Sequence, residues 1–487
     1  VRSIVWLTAG ALAAAALTTG CGDRYRPVIN PVSPTGPSPE ATSYAIAISQ
    51  PDQASAASST DPCPATPYAN PGVAAVIDFS GDSLLAQASI GTGPLTSAID
   101  SGGSTAYTLN CDGTITSFSI SSNLQSNQIS TTTLFPKQNG LASIQSNILV
   151  RSTGPYVVNQ NRGTVGALTT TTGSIALFQE VAVAPALVTL AGSPGFTGTS
   201  ATSSSQRVYA ISQGNSINGT AAKWGDCANP SAVTVSGEAD GIETTTNSVS
   251  SRLPLGVCPV FGIASLDGLR TFVLNRGSGT ISVINTQTNT LDTALNATGT
   301  IQLPASSSAT TAGPVYAAYY PQSQVLVVAN YDSNTVSFIN APLDVYGNDA
   351  TGFGQILATV TVGSHPAALT ILGDGSRVYV ANEGDGTVSV VSMTSFTVEK
   401  TIPVGNHPRV ISSTYNNPIG KVYVIAPDSN ILTIIRTDTD VISTLFTMQG
   451  LGVDVHATTQ YSAATGTTSN TPANTIVTSD SSGSGAP

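Results

Sequence analysis

Three histidines, His365, His407 and His456, are all that this chain offers for imidazole chemistry. Two of them stand in matching contexts, "GSHPAAL" and "GNHPRVI", each directly before a proline. Imidazole ligates divalent metals and serves as a general acid or base near neutral pH. With Arg409 two residues beyond His407, the two segments could form a ligand site if the fold brought them together. A turn that favours a polar residue would explain the same repetition without any chemistry. Other constellations are weaker. There is no G-x-S-x-G elbow, P-loop or strand-flanked GxGxxG, and three histidines leave a Ser-His-Asp triad little to draw on. "EGDGT" (383–387) and "NYDSNT" (330–335) lack the carboxylate spacing of calcium loops and read as turns. No catalytic residue, resident metal or cofactor is expected. Trp224, between Lys223 and Asp226 in a long irregular stretch (213–241), is a candidate binding anchor or the cap of its own loop.

The cysteines carry a different message. Cys21 follows "VRSIVWLTAGALAAAALTTG", a basic start, a short apolar run and small residues, which is the form of an export signal. "LTTGC" resembles a bacterial lipobox, with Leu17 one place early, so Cys21 is the expected lipid attachment point. The run of about fourteen apolar residues is short of the ~20 that a spanning helix needs. "RPVINPVSPTGPSPE" (26–40) reads as an extended tether. Cys63, Cys111, Cys227 and Cys258 remain, an even number in an exported chain, with no CxxC or CxxCH; two disulfides are expected, in one of three connectivities.

Composition limits the partners. The 487 residues carry a net charge of −11, and only 9% are charged. The 16 basic residues are scattered, so the stripe that a nucleic-acid binder needs is missing. Many Gly, Pro, Ser and Thr residues predict short strands joined by turns.

Those strands recur. "VYVANEGDGTVSV" (378–390), "VLVVANYDSNTVSFI" (325–339) and "FVLNRGSGTISVI" (272–284) each run from an apolar strand through an Asn and a short turn to a Thr and a second apolar strand. Asn110, Asn159, Asn275, Asn330 and Asn382 mark five copies, and "RVYAIS" (207–212) and "KVYVIA" (421–426) two weaker ones. Val388 and Val390 alternate with Ser389, which predicts a strand with one apolar and one polar face. "TVEKTIPVG" (397–405) and "HPRVISSTYNN" (407–417) supply two more strands, making four per unit of about 45–60 residues, as in a propeller blade.

"VYVANEGDGTVSV" with "TIPVGNHP" resembles the YVTN-repeat family of β-propellers found on bacterial and archaeal surfaces. The resemblance runs from about Tyr44 and implies an all-β propeller of four-stranded antiparallel blades. Innermost strands are predicted to start near residues 94, 145, 185, 258, 314, 366 and 408. Residues 43–50, 73–79 and 84–90 then supply three strands of a further blade, and 450–459 its innermost one. Eight blades are expected, with seven as the alternative and strands from both termini closing the ring. The expected organisation is a signal peptide (1–20), a lipidated Cys and tether (21–42), the propeller (43–460) and a Ser/Thr/Gly-rich tail (461–487). In such a ring all four body cysteines lie on one face, which pairs Cys63 with Cys111 and Cys227 with Cys258.

Two functions follow from this reading. The first is a monomeric binding or scaffold module for a protein or envelope polymer, held to the membrane only by its lipid and working through the loops of one face. The alternative is a propeller enzyme of the lactonase or quinoprotein type, with His365, His407, Arg409 and further Asp100 and Asp454 at the channel mouth.

Overall fold

The computed structural model describes residues 44–458 except 52–62, 64–67, 101–102, 121–123, 125–128, 136–146, 152–153, 172–173, 193–206, 214–226, 228–229, 231–232, 266 and 415–419, together with 477–478. Cys21, the tether, Trp224 and most of the tail lie outside the described residues.

Eight antiparallel sheets form eight blades of a propeller, which decides against seven. From the channel outward each blade has an inner, second, third and outer strand. Blade 1 comprises Pro94–Ile99, Thr105–Asn110, Thr114–Ser119 and Ile129–Thr133. Blade 2 runs Ile148–Leu149, Tyr156–Asn159, Thr164–Thr171 and Ser174–Ala182, and blade 3 Leu187–Ala191, Arg207–Ser212, Ser236–Glu243 and Ser248–Val257. Blade 4 has Pro259–Ala264, Arg270–Asn275 and Thr280–Asn285, with an outer edge split into Thr290–Leu291 and Thr300–Gln302. Blade 5 is Pro314–Tyr320, Val325–Asn330, Thr335–Asn340 and Ile356–Thr361, and blade 6 Pro366–Ile371, Arg377–Asn382, Thr387–Ser392 and Val398–Pro403. Blade 7 is Val410–Ser413, Lys421–Ile425, Ile431–Arg436 and Val441–Thr447. Blade 8 takes its inner strand, Leu451–Ala457, from late in the chain and the other three, Tyr44–Gln50, Val73–Asp78 and Leu84–Ser89, from early in it. From the tail, Val477–Thr478 pairs with the inner strand of blade 5.

The Asn that ends the second strand is a structural bracket. Its Nδ2 donates to the two hydroxyls of the third strand: Asn382 to Thr387 (3.0 Å) and Ser389 (2.9 Å), Asn330 to Thr335 (3.0 Å) and Ser337 (2.8 Å), Asn275 to Thr280 (3.1 Å) and Ser282 (2.9 Å). Ser389 is therefore buried, and the predicted polar face does not meet water. The Asn also abuts a glycine that closes the outer strand of the preceding blade. A Cβ on Gly363 would stand 2.6 Å from the Asn382 side chain.

The core is divided rather than central. Among the described residues, eight clusters of buried apolar side chains bridge neighbouring blades. The cluster between blades 4 and 5 also takes in Cys227 and Val233 of blade 3, and a second one, around Tyr209 and Ile211, joins blades 3 and 4. Polar clamps cross the same junctions. In the repeated R/K-V-Y at the start of the second strand, Arg377 pairs with Asp440 at 2.5 Å and Tyr379 donates to the same carboxylate in the next blade. Tyr209 bonds Asn289 at 3.0 Å across the junction of blades 3 and 4, and the buried Lys421 pairs with Asp82 where blade 7 meets blade 8. The residues receiving these bonds, Asn289, Asp440 and Asp82, have left-handed φ (57°, 52° and 53°) in the turn before an outer strand, where Asn and Asp are tolerated.

Candidate functional site

In a blade of this connection, the turn from second to third strand and the passage to the next blade lie on the same face. Both disulfides are on it. Cys63, between the second and third strands of blade 8, is joined to Cys111, which follows the second strand of blade 1, with Cα atoms 5.4 Å apart. Cys227, in the long connection between Ser212 and Ser236 of blade 3, is joined to Cys258 at the start of blade 4, with Cα atoms 5.6 Å apart. Each bond thus crosses a blade junction, as the sequence predicts, and the second is packed in the apolar cluster that runs from blade 3 into blades 4 and 5. Disulfides persist in oxidising compartments, which fits an exported protein. Among the described residues no helix is long and apolar enough to cross a membrane, which says nothing of strands.

On this face the residue leading into the inner strand has left-handed φ in six blades: Gly93, Ala186, Cys258, Gly313, His365 and His407. Glycine is free there, and His is among the side chains that tolerate the region. The repeated His-Pro therefore has a backbone cause. The carbonyl of this residue accepts from the N–H that follows the second strand: Cys111 to Gly93 (2.7 Å), Gln213 to Ala186 (3.0 Å), Arg276 to Cys258 (2.8 Å), Tyr331 to Gly313 (2.8 Å) and Glu383 to His365 (2.9 Å). In these five blades the bonds hold the residue after the second strand beside the start of the inner strand.

In blades 4 to 7 those side chains meet. The Arg276 guanidinium lies 4.9 Å from the centroid of the Tyr331 ring and reaches Asp332 at 2.8 Å and the Cys227 carbonyl at 3.3 Å. Tyr331 packs against the exposed His365 ring, centroids 4.6 Å apart. Burial, with the nearby Glu383 carboxylate, pushes the Tyr331 phenol up to about 12, so it stays protonated at any physiological pH. Arg409, from the start of blade 7, donates from Nε (2.8 Å) and Nη2 (2.5 Å) to Oε1 of Glu383. Glu383 is 6% exposed, and its carboxylate lies between Arg409 and the Tyr331 phenol, which hydrogen-bonds it.

The structure connects His365 with Arg409 through Tyr331 and Glu383. It sends His407 elsewhere, to Asp428 at 2.5 Å. Among the described residues no cluster of three or more His, Cys, Asp and Glu could hold a metal. Asp100 is not at this mouth: it closes the turn at the far end of its strand, accepting from Ser104 (2.7 Å) and Thr105 (3.0 Å). Asp454 and His456 are buried in the wall of the inner strand of blade 8. Asp454 accepts from the Ser97 N–H and hydroxyl, while His456 Nε2 bonds the Ser97 carbonyl at 3.0 Å and lies 3.4 Å from Asp454 Oδ2. Arg276, Tyr331 and Glu383 were not singled out in the sequence. Their signal was present, since each directly follows a repeat Asn, where every copy differs while its neighbours match.

No protein-family model and no curated protein sequence matches the chain. Solved structures do. AztD from Citrobacter koseri aligns at 13% identity over 85% of this chain and 98% of its own, with TM-score 0.53. A candidate 6-phosphogluconolactonase from Bacteroides fragilis aligns at 12% over 87% and 99%, with TM-score 0.50. The dihydro-heme d1 dehydrogenase NirN, in complex with DHE, aligns at 10% over 87% and 76%, with TM-score 0.54. At such identities the likeness is one of fold, the β-propeller.

Proposed function

We propose that this protein is an exported propeller of the YVTN-repeat kind, held to a bacterial membrane through a lipid on Cys21, that binds a protein or envelope polymer with its disulfide-bearing face. One observation carries this reading: both covalent staples fix irregular connections onto the same face, around the channel mouth. A staple on a loop limits its conformations and lowers the ordering cost of binding. The charged side chains there are largely neutralised by one another, Arg276 by Asp332 and Arg409 by Glu383, which suits recognition more than turnover. Trp224 falls in the connection held by Cys227 and is the anchor this reading names.

The test is capture from an envelope extract by the wild-type protein and by the Cys227→Ser/Cys258→Ser double variant. A partner held by the first and lost by the second is the expected result. Equal capture by both would refute the assignment to this face. Incorporation of labelled fatty acid that disappears in Cys21→Ser tests the anchor separately.

A further inference from the structure

Of the eight large apolar side chains exposed among the described residues, six gather on the face opposite the disulfides. The turn from third to outer strand lies on that face, so each outer strand starts there. Leu84, Val398 and Val441 are the first residues of the outer strands of blades 8, 6 and 7, and Leu357 is the second of blade 5's. Val345 and Tyr346 occupy the turn before that last strand and are 93% and 79% exposed. The other two, Phe178 and Leu445, stand midway along outer strands, and none of the eight is on the disulfide-bearing face. The six follow one another through consecutive blades, 5 to 8.

The turn is built to present its two apolar side chains. Asp344 Oδ1 accepts from the N–H of Tyr346 (2.8 Å) and of Asn348 (2.9 Å), and the Asp344 N–H donates to the Asn348 carbonyl at 2.8 Å. At its base Asp349 is tied at 2.8 Å to the fully buried Arg270 of blade 4. A tip ordered in this way loses little freedom when it binds. The same face is where the chain enters the propeller. Tyr44 opens the second strand of blade 8 there, and the Thr458 hydroxyl donates to its carbonyl at 3.1 Å. The segment leading back to Cys21 therefore departs from the side that carries the apolar arc. Carboxylates near the arc are matched by cations, Asp82 by Lys421, Asp440 by Arg377 and Asp438 by Arg436. It thus lacks the basic cluster that selects anionic lipids. Aliphatic side chains with a tyrosine among them suit the boundary between headgroups and acyl chains.

We propose that this rim of blades 5 to 8 rests on the surface of a neutral lipid bilayer, with Val345 and Tyr346 entering it. The disulfide-bearing face then points away from the lipid, toward its partner. From the reading above the proposal takes only that a lipid on Cys21 brings the chain to a membrane.

The experiment binds the full chain, purified with its lipid, to vesicles of phosphatidylethanolamine and phosphatidylcholine whose acyl chains carry bromine near the headgroups. Bromine quenches indole on contact. Tyr346→Trp is compared with Ser307→Trp, an exposed position between the outer strand of blade 4 and the inner strand of blade 5, and so on the disulfide-bearing face. Trp224 is common to both. The fluorescence added by Tyr346→Trp should fall about twofold, as at the headgroup–acyl boundary, and that added by Ser307→Trp should not change. Adding Leu84→Thr, Val398→Thr and Val441→Thr to Tyr346→Trp should restore most of the loss, and anionic phosphatidylglycerol should not deepen it. Equal quenching at the two positions, or quenching at neither, overturns the proposal. An unquenched Tyr346→Trp with a doubled mass in sedimentation without vesicles would assign the rim to a second copy of the chain instead. Labelled fatty acid is counted on the same samples. Label without quenching refutes the rim and keeps the anchor, whereas quenching without label refutes the anchor and shows the rim holding the surface unaided.

Discussion

At the scale of single residues, what repeats serves the frame and what varies serves the site. The Asn marker and the His-Pro pairs were legible in the sequence, yet their purposes were not. Asn382 was visible as a marker because its partners, Thr387 and Ser389, recur at fixed offsets; that both hydroxyls would be buried required knowing that a neighbouring blade covers them. His365 looked like a ligand because histidines are scarce, whereas the cause of its recurrence is a left-handed φ of 53°, a property that residue identity hardly encodes. Asp240 shows the same limit. Fully buried in the third strand of blade 3, it accepts from Ala184 N–H at 2.6 Å, and burial, reinforced by the adjacent Glu238, pushes its carboxyl up to about 6. The folded state therefore holds this proton more tightly than the unfolded chain, whose carboxyl has the ordinary value of 3.8. The associated stability is complete below about pH 4 and is lost as pH rises through about 6. Asp240→Asn, which copies the protonated form and can donate to Glu238, should raise stability at pH 7.5 by on the order of 2 kcal/mol and change little at pH 3.5. Thermal melts of both proteins across that range check it, and a variant less stable at pH 7.5 would refute it.

At the scale of elements, the blade was readable because its four strands differ in what they bury. Second strands such as Val325–Asn330 are buried throughout, while outer strands such as Val441–Thr447 alternate between exposed and half-buried residues. Hydrophobic periodicity reports that difference directly. The R/K-V-Y clamps were less legible, since their partners lie a full blade away. The Cys227–Cys258 bond ties blade 3 to blade 4 beside the cluster around Tyr209, Ile211, Val273 and Ile284. The bond closes a loop of 31 residues, worth ~3–4 kcal/mol if its effect is on the unfolded chain. Cys227→Ser/Cys258→Ser should therefore lower the melting temperature more than a matched pair of surface substitutions. Its first hydrogen-exchange losses should appear at Tyr209, Ile211, Val273 and Ile284. Uniform loss around the ring would show instead that the junctions do not open separately.

At the scale of the molecule, the ring is closed by a strand from each end of the body, joined through pairs such as Ile46 with His456. Lys421 bonds both the Phe79 carbonyl and Asp82, holding blade 7 to the early strands of blade 8. Lys421→Met should leave the Asp82 carboxylate with only the Ser443 and Thr444 hydroxyls, at a cost of about 1.5–3 kcal/mol. Limited proteolysis should then cut first near blade 8; cleavage elsewhere with an unchanged melting temperature would refute that role. The eight-blade count was legible because leftover strands at both ends summed to one blade, an arithmetic that asks nothing of side-chain geometry. The same closure sets a schedule. Tyr44–Gln50 is among the first strands made, and its inner partner, Leu451–Ala457, lies about 410 residues later. An exported chain assembles once it has crossed the membrane, so the early strand waits there until the last blade has followed it. During that interval an apolar edge, "YAIAISQ", stands open to any other chain in the same position, so the yield of native protein should fall as its export becomes more crowded.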